Sequence, residues 1–245
     1  MPHHASPPTL FIADLHLSAQ RPQISQLFIN FLHGAARQAE ALYILGDLFE
    51  YWIGDDAPPA EHEHVLKKLR ETAESGTAIY IMHGNRDFLL GDAFASATAT
   101  QIIQDPTLID LYGTPTLLMH GDTLCSDDTD YQKVRSTVRN PQWQQQFLSH
   151  TPAQRAALAA GYRDDSRKKT QSTENEIMDA NPQAVVEAMQ RHNATRLIHG
   201  HTHRPAIHDL QLKNGTAQRI VLGDWYKKGS VLICDAQGAR LDDVE

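Results

Sequence analysis

The sequence predicts a layered α/β fold with a mostly helical segment inserted late in the chain. Apolar runs short enough to be buried strands alternate with helical segments in the first half. Each run is closed by glycine or a polar residue, as expected for strands buried on both faces. The predicted buried strands are Thr9–Ala13, Ala41–Leu45, Ala78–Met82, Thr116–Met119 and Thr195–Ile198.

Two helices are predicted between the first three strands. Gln23–Glu40 and Ala60–Ser75 both carry apolar residues at the helical period, and Gly76 is a suitable stop for the second. His62 lies in the polar stretch Glu61–His64. We therefore expect His62 to lie on the solvated face of its helix.

The segment between Leu124 and His192 is rich in glutamine, alanine and charged residues. Its candidate helices are Tyr131–Val138, Pro141–Ser149, Pro152–Tyr162 and Pro182–His192. The segment is much longer than the dozen or so residues of a usual crossover. We therefore predict a helical cap over residues 125–192 and a core over 1–124 and 193–245, with ordinary crossover helices as the alternative.

The pattern of the C-terminal segment predicts short strands that pair antiparallel. Ile207–Leu212, Arg219–Leu222 and Ser230–Cys234 are separated by turn residues such as Asn214-Gly215 and Lys228-Gly229. This segment would close a sheet at the end of the chain.

The composition of the chain argues against several classes of protein. The net charge of −8 disfavours a general nucleic-acid binder, so we expect no nucleic-acid partner. Cys125 and Cys234 are the two cysteines, so reduced thiols in a cytoplasmic protein are expected. Met1–Pro8 lacks the apolar stretch of a signal peptide, and no run approaches the roughly 20 apolar residues of a membrane span.

Each predicted strand is followed by a residue that can bind a metal. The segments are Asp14-Leu15-His16, Gly46-Asp47, Gly84-Asn85-Arg86-Asp87, His120-Gly121-Asp122 and Gly200-His201-Thr202-His203. The carboxyl ends of strands in an open α/β sheet form its ligand site, so these side chains are expected to meet at one edge. Carboxylate, amide and imidazole ligands without cysteine suit Mn²⁺, Fe²⁺ or Zn²⁺ in a catalytic centre. Asp47, alone after its strand, is the natural bridge between two cations.

The order of these five motifs resembles the calcineurin-like metallophosphoesterases. That resemblance implies a β-sandwich flanked by helices and a site for two divalent cations, most often Mn²⁺. It assigns one cation to Asp14, His16, Asp47 and His203, and the other to Asp47, Asn85, His120 and His201. His199 lies outside this set and is expected to be structural, while Asp87 and Asp122 are expected to orient histidine ligands.

A narrower resemblance is carried by longer strings. Ile44–Asp56, His83–Gly91, His120–Cys125, Ile198–His208 and Leu222–Trp225 are similar to the UDP-2,3-diacylglucosamine pyrophosphatases of lipid A biosynthesis. This resemblance implies hydrolysis of the substrate diphosphate to UMP and 2,3-diacylglucosamine 1-phosphate, by a metal-activated water attacking the α-phosphorus. It also implies peripheral association with the cytoplasmic face of the inner membrane. We expect a monomer.

The expected catalytic residues are Arg86, His120 and His201. Arg86 follows the ligand Asn85 and can donate two parallel hydrogen bonds to a phosphate. The alternative role of Arg86 is a salt bridge to Asp87.

The resemblance also implies a set of substrate contacts. These are Asn85, Arg86, Asp128, Ser166, Thr170, Thr173 and His201. The family often has lysine where this chain has Thr173, and Lys168 or Lys169 would supply that charge instead.

Apolar residues of the predicted cap are candidates for contact with acyl chains or with a bilayer surface. They are Trp143, Phe147, Leu148, Leu158, Tyr162, Ile177, Met178, Val185 and Met189. Near the C-terminus, we expect Trp225 to be a core residue, with stacking on uracil as the alternative.

The ligands alone leave other functions open. The nearest is another metallophosphoesterase, acting on nucleotides, dinucleoside polyphosphates or phosphoproteins. A nuclease is disfavoured by the acidic balance, and a scaffold without metal is disfavoured by the complete ligand set.

Overall fold

Two β-sheets packed face to face, with helices on their outer faces, form the body of the protein. The computed structural model describes residues 6–172 and 179–245, with side chains described for 6–162 and 179–245. In chain order the strands are β1 (Thr9–Ile12), β2 (Ala41–Leu45), β3 (Ala78–Met82), β4 (Gln101–Ile103), β5 (Thr107–Leu111), β6 (Thr114–Met119), β7 (Arg196–His199), β8 (Ala206–Leu212), β9 (Gly215–Val221), β10 (Gly229–Asp235) and β11 (Gly238–Val244). The sandwich implied by the family resemblance is confirmed.

The helices lie between these strands. In chain order they are α1 (Pro22–His33), α2 (Glu63–Glu74), α3 (Asp92–Thr98), α4 (Thr129–Val138), α5 (Pro141–Leu148), α6 (Pro152–Ser172) and α7 (Pro182–Arg191). Helices α4 to α6 follow β6 and precede β7, which is where the sequence predicts a helical insertion.

The first sheet has the strand order β11-β10-β1-β2-β3-β4. Strands β1 to β4 run parallel, and β10 is antiparallel to both β1 and β11. The second sheet has the order β5-β6-β7-β9-β8, with β6, β7 and β9 parallel. The parallel strands of each sheet therefore share a direction, and their carboxyl ends share an edge.

Strand β1 is buried on both faces, which explains its uninterrupted apolar sequence. Leu10 and Ile12 pack under the helices of the first sheet. Phe11, between them in sequence, faces the second sheet, where it packs in one cluster with Leu118 and Ile198. The alternation of side chains along a strand thus supplies both the helix-facing core and the core between the sheets.

Helix α7 belongs to the core. Its residues Val185 and Met189 are buried against Leu117 and Leu197 of the second sheet. They are therefore packing residues, and the expectation that they contact acyl chains or a bilayer is wrong. The limits of a cap over 125–192 stay a prediction.

Trp225 is confirmed as a core residue. Its side chain is fully buried, its ring meets Phe28 and Phe31 edge to face, and its Nε1 donates to the Ser230 carbonyl 3.1 Å away. No face of the indole is left for a nucleobase.

Some element boundaries differ from those predicted. Helix α1 ends at His33, before Gly34, and a separate 3₁₀ turn covers Ala35–Gln38. Helix α6 continues to Ser172, well past Tyr162, because no glycine or proline interrupts it after Gly161.

His62 is buried, and its expected place on the solvated face is wrong. The side chain is 1% exposed, and its ring lies 4.4 Å from that of Phe49. Neither ring nitrogen has a hydrogen-bond partner among the described residues. His62 ends the 3₁₀ turn Ala60–His62 that precedes α2, and burial lowers its pKa to about 4.

Replacing His62 by Phe should flatten the pH dependence of stability. An unfolded histidine takes up a proton below its ordinary pKa of 6.5, whereas folded His62 stays neutral down to about pH 4. Acid therefore favours the unfolded chain in this window. We expect the free energy of unfolding to fall about 2 kcal/mol less in His62→Phe than in the parent between pH 7 and pH 5. Urea titrations at both pH values measure this, and parallel pH profiles would contradict it.

Candidate metal centre

The five sequence motifs meet at one rim of the sandwich, and both sheets contribute to it. Asp14, Asp47 and Asn85 lie just after β1, β2 and β3 of the first sheet, while His120 and His201 lie just after β6 and β7 of the second. Both sheets therefore form the rim, whereas the sequence predicts that the ligands meet at the edge of a single sheet.

One group of side chains surrounds the Asp14 carboxylate. The His203 Nε2 lies 3.4 Å from the Asp14 Oδ1 and 3.4 Å from the His16 Nε2. The His16 Nε2 lies 3.7 Å from the Asp47 Oδ2. These four residues are the set that the sequence predicts for the first cation.

A second group surrounds the Asn85 amide. The Asn85 Oδ1 lies 3.0 Å from both the His120 Nε2 and the His201 Nδ1. The His120 Nε2 lies 4.0 Å from the Asp47 Oδ2. The same oxygen of Asp47 thus faces a histidine of each group, which is the position that a bridging carboxylate needs.

The donor set fits divalent cations. The Asp14 Oδ1 is buried and has no hydrogen-bond partner among the described residues. Ligand atoms of Asp14, His16 and His203 lie within 4.8 Å of one another, and so do those of Asp14, Asp47 and His120. Ligands held at about 2 Å from one cation are separated by such distances.

Several candidate ligands have left-handed backbone conformations. Their φ angles are 57° at Asp14, 48° at His16, 54° at Asp47, 68° at His201 and 55° at His203. Side chains other than glycine avoid this region, and its use clusters at functional sites. The Gly200 backbone lies so close to the Asp14 carboxylate that no side chain fits between them. A Cβ at Gly200 would lie 2.4 Å from the Asp14 Oδ2.

Two carboxylates stand behind histidines of the first group. The His16 Nδ1 lies 3.4 Å from the Glu50 Oε2, and the His203 Nδ1 lies 3.4 Å from the Asp224 Oδ2. The negative charge of a carboxylate in this position favours one orientation of the ring, so that the other nitrogen can bind a metal. Sequence reasoning missed both residues, although both lie in strings that carry the family resemblance.

The expectation that Asp87 orients a histidine is wrong. The Nδ1 of His120 contacts the Leu45 carbonyl at 2.9 Å. The Asp87 carboxylate instead accepts from the backbone N–H groups of Gly84 and Leu48, at 2.9 and 2.8 Å. Asp87 therefore joins the two loops that present Asp47 and Asn85.

The Asp122 carboxylate also accepts hydrogen bonds from residues other than the histidine that it was expected to orient. Its Oδ2 accepts from the Tyr131 hydroxyl at 2.7 Å and from the Arg135 Nε at 2.6 Å. Both donors are on α4, and the Tyr131 ring lies 5.8 Å from that of His201. Asp122 thus attaches α4 to the rim.

The electrostatics of the rim depend on opposed effects. Burial would raise the pKa of Asp14, but the neighbouring His203 imidazole brings it to about 2. Burial would lower the pKa of His120, but the charges of Asp47 and Asp122 raise it to about 9. Asp14 therefore stays ionised at neutral pH, and the negative charge that raises the pKa of His120 is charge that a bound cation would neutralise.

Arg86 is held through its backbone. Its N–H donates to the Asp47 Oδ1 at 2.8 Å, and its carbonyl accepts from the Trp52 N–H. The Nε of its guanidinium has no partner among the described residues. With Asp87 occupied by backbone groups, the alternative salt bridge between Arg86 and Asp87 does not form.

Tyr226 and Arg21 adjoin the first group and were missed by sequence reasoning. The Tyr226 ring lies 5.8 Å from that of His16 and 5.6 Å from that of His203. The Arg21 guanidinium lies 4.6 Å from the Tyr226 ring centre and donates to the His16 carbonyl. No local sequence signal distinguishes them from ordinary surface residues.

The predicted substrate contacts are less fully described. Asp128 caps α4 by accepting from the Tyr131 N–H at 3.0 Å. Ser166 and Thr170 lie on α6, but their side chains are outside the described residues, as is all of Thr173.

His199 is structural, as expected. It contacts the Gly200 carbonyl through Nδ1 at 2.8 Å and accepts from the Arg219 Nε through Nε2 at 2.9 Å. Both ring nitrogens are thereby engaged away from the candidate ligands.

Curated proteins named UDP-2,3-diacylglucosamine hydrolase are similar to this chain along nearly its whole length. One from Pseudomonas fluorescens is 49% identical over 235 residues, covering 95% of this chain and 93% of the relative. One from Pseudomonas paraeruginosa is 50% identical over 234 residues, with 94% and 96% covered. One from Marinobacter nauticus is 51% identical over 217 residues, with 89% of each covered.

A solved structure shows likeness in fold alone. Vacuolar Protein Sorting 29 from Cryptosporidium parvum has a TM-score of 0.50 at 11% identity, with 98% of this chain and 97% of that chain covered.

The family model of the calcineurin-like phosphoesterases matches residues 7–205, a range that includes all seven candidate ligands. The chain therefore belongs to the calcineurin-like phosphoesterase family and, within it, to the family of the UDP-2,3-diacylglucosamine hydrolases.

Proposed function

We propose that this chain hydrolyses the diphosphate of UDP-2,3-diacylglucosamine, giving UMP and 2,3-diacylglucosamine 1-phosphate in lipid A biosynthesis. The relatives that bear this activity in their name are 49% to 51% identical to the chain over most of its length. The observation that carries the proposal is the convergence of two ligand groups on one oxygen of Asp47.

We assign two divalent cations, most simply Mn²⁺, to these groups. One would be held by Asp14, His16, Asp47 and His203, and the other by Asp47, Asn85, His120 and His201. When bound, such a pair neutralises phosphate charge and activates a water for attack on phosphorus. The carboxylates behind His16 and His203 keep those rings turned toward the centre.

Arg86 is the residue that we assign to the substrate phosphate. Its backbone is fixed on Asp47, and its buried Nε has no partner among the described residues, so the guanidinium can donate to an anion at the rim. Phosphoryl transfer is catalysed mainly by placement and by neutralisation of charge. His201, whose pKa burial lowers to about 4, stays neutral and free to act as a ligand.

Other phosphoesterase activities fit the ligands but not the rest of the chain. A hydrolase of nucleotides, dinucleoside polyphosphates or phosphoproteins needs the same metal centre. The relatives above match this chain outside that centre as well, through the segment of α4 to α6. UMP release from UDP-2,3-diacylglucosamine with Mn²⁺, measured beside a panel of other diphosphates, tests the assignment, and preference for another diphosphate would overturn it.

We propose that α5 and α6 contact the cytoplasmic face of the inner membrane. Among the described helices, none is long and apolar enough to cross a bilayer. Leu148, Leu158 and Tyr162 are 41%, 43% and 50% exposed, which is suited to contact with lipid. Phe147 is 6% exposed and stacks on Trp143 within α5, and the Trp143 ring meets that of Tyr162 on α6, so Trp143 joins the two helices.

Replacing Asp47 by Asn should remove the bridging charge and lower the bound cations per chain from two to one or none. Turnover should fall by about a thousandfold or more, because both groups share this oxygen. Plasma emission analysis of desalted protein measures the metal. The matched control is Asp209→Asn on exposed β8, and two retained cations with full turnover in Asp47→Asn would refute the assignment.

Replacing Arg86 by Ala should leave the metal content unchanged and reduce turnover by roughly 10²–10³-fold, as expected for a lost phosphate-stabilising donor. Metal analysis and UMP release on the same preparation separate the two effects. Arg191→Ala, at an exposed site on α7, is the control. Near-normal turnover of Arg86→Ala would remove Arg86 from the mechanism.

Replacing Leu158 by Glu should weaken binding to anionic lipid vesicles by about tenfold or more, since an apolar contact is lost and a repelled charge is gained. Vesicle co-sedimentation measures the change. Leu108→Glu on β5 is a matched control, because Leu108 is 47% exposed and Leu158 is 43% exposed. Equal binding by both variants would contradict a membrane-facing α6.

A further inference from the structure

The loop that follows Asp47 is attached to α3 by hydrogen bonds. Trp52 is 3% exposed, and its Nε1 donates to the Asp55 Oδ1 at 2.8 Å. The Asp55 carboxylate also accepts from the backbone N–H groups of Gly91 and Phe94, at 3.1 and 2.8 Å. The loop is therefore fixed on both sides, with the candidate bridging ligand at its start.

A buried arginine of α6 inserts into this loop. Arg155 is 1% exposed, and its Nη1 donates to the Ile53 carbonyl at 2.6 Å. Its Nη1 and Nη2 also donate to the two carboxylate oxygens of Asp56, at 2.8 and 2.5 Å. Parallel bonds of this kind fix orientation as well as distance.

Gly54 is shaped to this arginine. Its φ is 125°, and a Cβ there would lie 2.3 Å from the Arg155 Nη1 and 2.8 Å from the Asp56 Oδ1. Any side chain at Gly54 would displace the guanidinium. The loop thus leaves room for the Arg155 guanidinium at Gly54 and supplies its opposite charge at Asp56.

The burial of Arg155 distinguishes this pair from ordinary surface ion pairs. Arg70 and Glu74 of α2, for example, are 49% and 55% exposed, and such pairs contribute little to stability. The Asp56 carboxylate is 63% exposed, but the Arg155 guanidinium is buried and would be left without its charge partner inside the protein if the contact opened. That property suits a contact that sets one position for a helix.

We propose that Arg155 is a positioning residue, which through Asp56 fixes α6 relative to the metal rim and thereby sets the affinity for the lipid-linked substrate. The proposal rests on the proposed function. Ser166, an expected substrate contact, follows Arg155 by 11 residues on the same helix, or about 16 Å along its axis. A rotation of about 10° at Arg155 would move that contact by about 3 Å, and misplacement of about 1 Å can reduce a rate 10²-fold.

Steady-state kinetics of Asp56→Asn and Arg155→Lys test the proposal. The Asp56→Asn substitution removes the charge but keeps the side-chain size at a site that is 63% exposed, so folding should survive. We expect the KM for UDP-2,3-diacylglucosamine to rise about 30- to 100-fold in Asp56→Asn. Arg155→Lys, which keeps the charge but loses the fork, should show a smaller rise. Mn²⁺ content and turnover of bis(p-nitrophenyl) phosphate, which needs only the metal centre, should stay within twofold.

A distance measurement provides a readout that does not depend on activity. Spin labels at Ala157→Cys on α6 and Gln23→Cys on α1, both exposed sites, report the helix position by pulsed EPR. The distance distribution should broaden in Asp56→Asn and stay narrow in the control Glu74→Gln, which removes an equivalent charge from α2.

The outcomes separate this inference from the function on which it rests. An unchanged KM with an unchanged distance distribution in Asp56→Asn would overturn the positioning role. So would a parallel fall in both activities with a lowered melting temperature, since that indicates a purely structural pair. Failure of the unsubstituted protein to release UMP would instead overturn the proposed function itself.

Discussion

The carboxylate of Asp47 is the constraint on which the rest of the site depends. One of its oxygens lies between His16 and His120, and so between the two ligand groups. The other accepts from the Arg86 N–H. That placement requires a left-handed backbone at Asp47 and no side chain at Gly84, where a Cβ would lie 2.1 Å from the Asp47 Oδ1. Any shift of the β2 or β3 loop would therefore disturb both groups together.

The packing of the two sheets supports the strained backbone and the like charges of the ligand loops. Strands buried on both faces are held by apolar packing above and below, so the loops at their ends have fixed starting points. Around the rim, residues outside the ligand set complete the arrangement. Glu50 and Asp224 face the outer nitrogens of two histidines, and Asp87 joins two ligand loops. Negative charge is thereby gathered at one edge, where a cation would relieve it.

Sequence reasoning predicted the buried strands and the ligands because both have local signals. β2 and β3 have the predicted bounds, since an apolar run ends at glycine in one case and histidine in the other. Strand β11 escaped prediction because its alternating exposed residues form no apolar run. The buried ring of His62 packs on Phe49, which precedes it by 13 residues and lies outside its helix, and helical periodicity carries no information about such contacts. The same holds for Asp56, whose partner Arg155 is almost a hundred residues away.

The position of Asp47 between the two ligand groups implies that its carboxylate lies between two bound cations. Anomalous diffraction from crystals grown with Mn²⁺ tests it directly. We expect two peaks about 3.5–4 Å apart, one on the His16 side of the Asp47 carboxylate and one on its His120 side. A single peak, or peaks away from this oxygen, would contradict it.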